Sequence, residues 1–379
     1  MNHNELNYNE LSRKIFIEYA KKEQDKNVCI STDCVTLGFV VLYLGTGGET
    51  RQMLNGKNFM GLYSISRTQK LSSVTGIALL SRFELNEILP QFKSDIKKYC
   101  PDENFHHFRI KQEQSDTDKK RDKLVKKINA RYEKKTNGAI TQIVDNDIVN
   151  LYSRGPVTFL CKTKFTATWD RPFNSKLTHE KRFFVKPNIS KQVEMMIDDD
   201  IEEISVSSME NELNVTAIKL PYKKELGDSY IAIMPNEVAS KNELLSLFES
   251  LDLNKFLTSF DDDDDCCYLG VPKYTTETDL LLDDGTPNEG LANIEALTDF
   301  RGADFSNMFD GGIRCESLKY FVKTIVTVNE KGTQVDAMFS MIAYDGVGAG
   351  RKIELNRPFL YLIVDRKNYI STIGTFMGP

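Results

Sequence analysis

Gly346-Val-Gly-Ala-Gly-Arg-Lys352 sets three glycines and two cations within seven residues, the residue types that can cradle a phosphate through backbone amides. Their spacing fits neither a P-loop nor a dinucleotide-binding turn. Downstream stands Ile353-Glu-Leu-Asn-Arg-Pro358, which cannot open the helix that a phosphate site needs, so an ATP-using enzyme is excluded and the glycines are read as a flexible, exposed loop. Four histidines, His3, His106, His107 and His179, sit outside any HExxH pattern and beside no spaced cysteine pair, so they imply no metal site. Seven cysteines, an odd number without CxxC spacing, argue against zinc and against a disulfide framework, and are read as mostly reduced, buried thiols. There is no GxSxG elbow for a serine nucleophile. The acidic run Asp261–Asp265 lacks the alternating ligands, central glycine and distant glutamate of a calcium loop, and is read as a solvated turn.

Charge excludes a further class. Forty-nine basic against 55 acidic residues leave a net charge of −6, so the chain carries no global nucleic-acid signature. One segment departs from this balance: Lys119 to Lys135 holds nine Lys/Arg against Asp122 and Glu133. It is read as a surface helix, stopped by Thr136-Asn137-Gly138, with weak attraction for polyanions.

The strongest functional pattern lies near the C-terminus. Tyr320 to Glu330 is β-branched on both faces, as in a strand covered on both sides, and it ends at Lys331-Gly332-Thr333. Strand character resumes at Lys352–Arg357 and Phe359–Val364, after a connection too long to be idle in a compact domain. If the residues after Gly332 were extended, Thr333, Val335, Ala337, Phe339, Met341 and Ala343 would share one compact, apolar face, and Gln334, Asp336, Met338, Ser340, Ile342 and Tyr344 the other. This is a loop patterned to become a strand.

The elements that must hold such a loop are legible upstream. Leu6 to Lys22 has helical apolar spacing, Val35 to Leu44 reads as a wholly buried helix, and Leu85, Ile88, Leu89, Phe92 and Ile96 mark a helix face within Ile77–Cys100. Beyond Thr158 the chain turns β-rich, in runs at Thr158–Thr168, Arg182–Val185, Val215–Leu220 and Tyr230–Met234. No Pro/Gly/Ser-rich linker separates the halves of the 379 residues, which predicts one α+β domain over 1–379, with helices packed on extensive sheets. No segment is long and apolar enough to span a membrane, and no leader follows Met1.

Several stretches, in order along nearly the whole chain, resemble the serpin family. Val328-Asn-Glu-Lys-Gly-Thr333 resembles the serpin hinge, and Leu44-Gly45 with Gly48-Glu-Thr-Arg51 the end of helix B. Ile128-Asn129 with Thr136-Asn-Gly138 and Ile140 resembles helix F, while Phe165 with Trp169-Asp-Arg-Pro-Phe173 resembles the breach at the top of the central sheet. Val193-Glu-Met-Met196, Leu220-Pro-Tyr222, Val271-Pro-Lys-Tyr274 and Arg357-Pro-Phe359 continue the series.

The resemblance implies three β-sheets with about eight or nine helices, and a reactive loop exposed between the central and top sheets. It implies a metastable, non-enzymatic, cofactor-free monomer that inhibits serine proteases. The target's own serine attacks the loop, and insertion of the loop into the central sheet traps the acyl-enzyme. A non-inhibitory protein of the same fold, acting as protease substrate, carrier or interaction module, is the alternative. Glu330, Gly332, Thr333, Val335, Ala337 and Phe339 fall within the hinge, 330–339, and the reactive loop covers 340–351. Trp169 matches the breach, and Ser31 and Cys161 the shutter beneath the sheet, Cys161 standing where the family usually has asparagine and Thr32-Asp33 where it has Pro-Leu. The family's spacing places the scissile bond at Gly346-Val347, which suits an elastase-like protease; Tyr344 would suit a chymotrypsin-like enzyme and Arg351 a trypsin-like one. Val335-Asp-Ala-Met338 departs from the small residues usual after the hinge threonine, and bulk there slows insertion. The stretch from Leu54 to Ser72 is about half its usual length, an abbreviated helix D. Family resemblance favours a secreted protein, whereas a chain native at Met1 without a leader would be cytoplasmic.

Overall fold

The computed structural model describes residues 8–23, 26–55, 73–81, 88–99, 105–109, 117–135, 138, 140–146, 148–149, 157–165, 167–199, 201, 204–223, 227–263, 266–283, 303–310, 314–315, 319–333 and 351–379. The expected reactive loop, including Val335, Ala337, Phe339, Tyr344, Gly346 and Val347, lies outside them.

Three large sheets and eight helices are present among the described residues. The central sheet has five strands, in the order Tyr274–Asp283, Lys319–Val328, Val157–Phe165, Ser73–Ser81, Phe105–Arg109. A seven-stranded sheet runs Val28–Ser31, Ile370–Phe376, Phe359–Val364, Ser229–Pro235, Val215–Pro221, Ile204–Ser207, Phe260–Asp263. A four-stranded sheet runs Arg351–Glu354, Cys266–Pro272, Ile189–Asp198, His179–Lys186. Two further pairs are short: Ala303–Asp304 with Arg314–Cys315, and Gly332–Thr333 with Ala167–Thr168.

Apolar periodicity explains the helices. Tyr8–Ala20 buries Leu11, Ile15 and Phe16 on one stripe, and Thr32–Gly45 is buried along nearly its whole length, as its continuous apolar run requires. Ser31 caps that second helix, its side chain accepting from the Cys34 amide. The helix Asp118–Lys135 lays Leu124, Ile128 and Tyr132 on the outer face of the central sheet, against Phe108, Leu160 and Phe321, and leaves Lys119, Lys123, Lys126, Lys127 and Lys134 exposed. It ends where Gly138, at φ +79°, turns its amide back to Glu133 O.

Two expectations are corrected. Ile77–Ser81 belongs to a strand, Ser73–Ser81, and among the described residues the helix is Pro90–Tyr99, with Pro90 at its first position, while Leu85 lies outside them. The Ile77 end is claimed by pairing on both sides, to Val157–Phe165 and Phe105–Arg109, which outweighs the helical spacing. The acidic run does not begin as a turn either: Phe260–Asp263 is a strand at the edge of the seven-stranded sheet, where charge suits a position that must discourage further pairing.

Cys29, Cys34, Cys161 and Cys266 are buried and Cys267 is half-buried, and none of these five forms a disulfide. Burial raises the Cys29 thiol to about 12, which keeps it protonated and inert. No helix among the described residues is long and apolar enough to cross a membrane.

Candidate functional site: the hinge and its seam

The strand Lys319–Val328 lies parallel to Val157–Phe165, paired from Lys319 with Thr158 to Ile325 with Lys164. Side chains alternate across this seam. Val322, Thr324, Val326 and Val328 are buried on its inner face; Phe159 and Cys161 share one core with Val322, and Phe165 shares another with Val326 and Val328. Leu160 and Phe321 face outward, under the helix Asp118–Lys135. Above Ile325 and Lys164 the two strands diverge.

A tight reversal sits in the fork. Asn329 and Gly332 exchange both backbone hydrogen bonds, 2.8 and 3.0 Å, leaving Glu330 and Lys331 as a two-residue turn. Asn329 Oδ1 accepts from the Lys331 amide at 3.0 Å. Gly332 and Thr333 then pair antiparallel with Thr168 and Ala167, so the chain leaves the hinge already directed down the seam. Gly332 has φ +141°, and a Cβ there would meet Ala167 O at 2.0 Å, so only glycine fits.

The breach fixes this reversal from the side. Trp169 is buried and stacked on Tyr222, ring centroids 4.6 Å apart and nearly parallel. Its indole Nε1 donates to Asn329 O at 2.9 Å, and its backbone amide to Lys331 O at 3.0 Å. The Phe173 amide donates to Glu330 O at 2.8 Å. Lys273 lies between Glu330, 3.5 Å away, and Glu194, 3.7 Å away. Trp169, Glu330 and Gly332, singled out from the sequence, therefore meet, together with Tyr222, Asn329, Lys273 and Glu194, whose roles depend on partners far along the chain.

The shutter residues lie lower. The Ser31 amide donates to Thr324 Oγ1 at 2.9 Å, tying the start of the helix Thr32–Gly45 to the inner face of the hinge strand. Cys161, buried, registers with Val322 across the seam and with Ile77 on the other side. Beside Ser31, Asp33 accepts from the Tyr8 hydroxyl at 2.5 Å, and burial raises its carboxyl to about 7. Sequence reasoning missed this pair because Tyr8 and Asp33 look like ordinary surface polarity until two helices bury them.

Arg351 opens the strand Arg351–Glu354, which pairs parallel with Cys266–Pro272. Its guanidinium is half-buried and donates to Glu210 Oε2 at 2.7 Å.

The family profile described as Serpin (serine protease inhibitor) matches residues 6–379, almost the entire chain. The chain belongs to the serpin family. Among curated relatives, Serine proteinase inhibitor 1 of Variola virus is 26% identical over 247 residues, 64% of this serpin. This serpin spans only 63% of that relative's length. Among solved structures, Serpin48 of the insect Tenebrio molitor superposes with a TM-score of 0.76 at 18% identity, over 98% of this chain and 97% of its own. Thyroxine-binding globulin, solved with thyroxine, gives 0.76 at 20% identity, over 98% and 99%. At these identities the two superpositions speak for the fold, that of a serpin, with the sheets and helices the resemblance implied.

Proposed function

We propose that this serpin is a suicide inhibitor of serine proteases, acting as a single domain whose reactive loop, 340–351, is bait and whose seam receives the loop, led by the hinge 330–339, after cleavage. One observation carries the proposal: two separate pairings project the same register onto the seam. Continued down the hinge strand, the Asn329–Gly332 pairing brings residue 336 opposite Ile325; continued down the neighbouring strand, the Gly332–Thr168 pairing brings residue 336 opposite Lys164. Ile325 and Lys164 are already partners, so both walls accept one strand without a slip.

The side chains agree with that register. Thr333, Val335, Ala337 and Phe339 fall on the inner face beside Val328, Val326, Thr324 and Val322, all buried. Phe339 comes level with Cys161, a small apolar residue where the family's asparagine would be polar. Asp336 comes level with Lys164 on the outer face, and opposite charges directly across strands are favourable. Insertion replaces one slanted parallel ladder by two antiparallel ones and buries the apolar face, which supplies the driving force.

The relative's name, a serine proteinase inhibitor, supports the same activity. Gly346-Val347 is assigned as the scissile bond and an elastase-like enzyme as the first target, ahead of chymotrypsin-like and trypsin-like ones. The test is incubation with one protease of each type, followed by denaturing gels and mass spectrometry of the loop. A covalent complex surviving denaturation, with cleavage at Gly346-Val347, is expected. Cleavage without any complex would overturn inhibition in favour of a substrate, carrier or interaction module, the reading that the bulky Val335-Asp-Ala-Met338 run favours. Cleavage confined to the bond after Arg351 would overturn the elastase preference.

A further inference from the structure

The helix Asp118–Lys135 carries a charge pattern that packing does not use. Its buried stripe, Leu124, Ile128 and Tyr132, is spent on the central sheet, so the opposite side is a crest turned to solvent. Counted at about 100° per residue from Ile128, Lys119, Lys123, Lys126, Lys127 and Lys134 fall within one arc of about 100° on that crest, with only Ala130 among them. All six residues are exposed. Asp118, Asp122 and Glu133 gather on one flank of the arc instead of alternating with its lysines, as a merely solvated, self-paired face would have them. Asp118 is taken by Arg121, and Asp122 accepts from Asn146 Nδ2 at 2.7 Å. Among the described residues no carboxylate pairs with any of the five lysines.

Charge and shape narrow what fits there. The helix holds nine Lys/Arg against three carboxylates, a charge of +6 in a chain of −6, so the rest of the chain carries −12. A polyanion is therefore drawn to this one face, and at physiological salt, where screening sets in beyond about 8 Å, the distant carboxylates do not cancel the attraction. The crest has no large apolar side chain to enter a bilayer and no aromatic ring on which unpaired bases could stack. It is convex and, over the fifteen residues from Lys119 to Lys134, about 22 Å long. A helix with its side chains is about 10–12 Å broad, close to the major groove of duplex DNA, where two rows of phosphates stand about 12 Å apart. Lysines at the two sides of the arc meet both rows, whereas a polymer with a single row of charges meets one line of them. The arginines that could read guanine are engaged elsewhere, Arg121 by Asp118 and Arg131 over the Phe108 ring, 5.4 Å from its centroid.

We propose that this crest binds the phosphate backbone of double-stranded DNA without sequence preference, through Lys119, Lys123, Lys126, Lys127 and Lys134. The surface belongs to the helix alone, so the inference stands or falls independently of the inhibitory reading.

The experiment is fluorescence anisotropy of a labelled duplex of about 20 base pairs, in two unrelated sequences, titrated with the full chain between about 50 and 200 mM sodium chloride. Each neutralised phosphate adds about −0.9 to the slope of log affinity against log salt, so five lysines give a slope of about −4.5 and a loss of about 500-fold across that range, equal for both sequences. The double variant Lys123→Gln, Lys127→Gln should lower the slope to about −2.7 and the loss to about 40-fold. Lys119→Gln, Lys126→Gln should do the same and serves if the first pair does not fold, with thermal melting verifying each. No binding at the lowest salt, a slope that neither pair alters, or equal binding of single-stranded DNA of the same length would overturn the proposal. So would a sulfated polysaccharide held by these lysines while the duplex is not.

Discussion

Thr333→Arg addresses the first step of insertion. The pairing of Thr333 with Ala167 puts position 333 on the face of the sheet shared by Ala167 and, through the hairpin, by Val328, both buried. Around them the core is Phe165, Val326, Trp169 and Tyr222. A guanidinium placed among these apolar and aromatic side chains is desolvated, at a cost of several kcal/mol even after relaxation. Insertion competes with deacylation, and each ~1.4 kcal/mol added to its barrier slows it about tenfold, so a penalty of about 3 kcal/mol costs roughly two orders of magnitude. The variant should be cut at the same bond as the wild type yet release active protease, turning an inhibitor into a substrate. Gln334→Arg, at the next position, which the proposed register would turn to the other face opposite the half-buried Thr327, should retain most of the trapping. The assay is the molar ratio of serpin to protease needed for full inhibition, with the covalent complex seen on denaturing gels. Equal trapping by both variants and the wild type would refute entry through this hinge.

Cutting the loop should raise the melting temperature, the reverse of an ordinary nicked loop; calorimetry of intact and clipped protein at equal concentration checks this. Gly332→Ala, whose Cβ would press on the Ala167 carbonyl at a φ hostile to L side chains, should lower trapping without altering the cleavage site, measured by the same stoichiometry. Stability should also depend on Asp33. Burial, with added repulsion from Asp365 and Asp228, raises its carboxyl to about 7 although the Tyr8 hydroxyl bond works against it. The folded state thus holds a proton that the unfolded chain releases near the usual 3.8, and stability must fall as pH rises through that window. Denaturant melts between pH 4 and 8 should show this decline, and Asp33→Asn should flatten it.

The reversal at Asn329–Gly332 was legible because its signals are local: Val-Asn-Glu-Lys-Gly-Thr carries the turn and the obligate glycine in six residues. The buried helix Thr32–Gly45 was legible for the same reason. Ile77–Ser81 was not, because a short apolar run suits either period until its neighbours claim it. The ion pairs of Arg351–Glu354 were invisible too. Arg351 finds Glu210, and Lys181 finds Glu354, more than 100 residues away, and nothing in the sequence marks either pairing. Position 161 could be compared with the family, but its register against Val322 and Ile77 is defined only by strand pairing.

The seven-stranded sheet joins the two ends of the chain. Val28–Ser31 pairs with the last strand, Ile370–Phe376, in a register that sets Val28 against Thr375, and Phe359–Val364 closes that strand's other side. During synthesis, the strand Val28–Ser31 must therefore wait for its hydrogen-bonding partner until Ile370–Phe376, more than 300 residues later, has left the ribosome. By then both strands that border the seam have already been made. Their setting is completed late in assembly, when Ile370–Phe376 docks between Val28–Ser31 and Phe359–Val364 and closes the core.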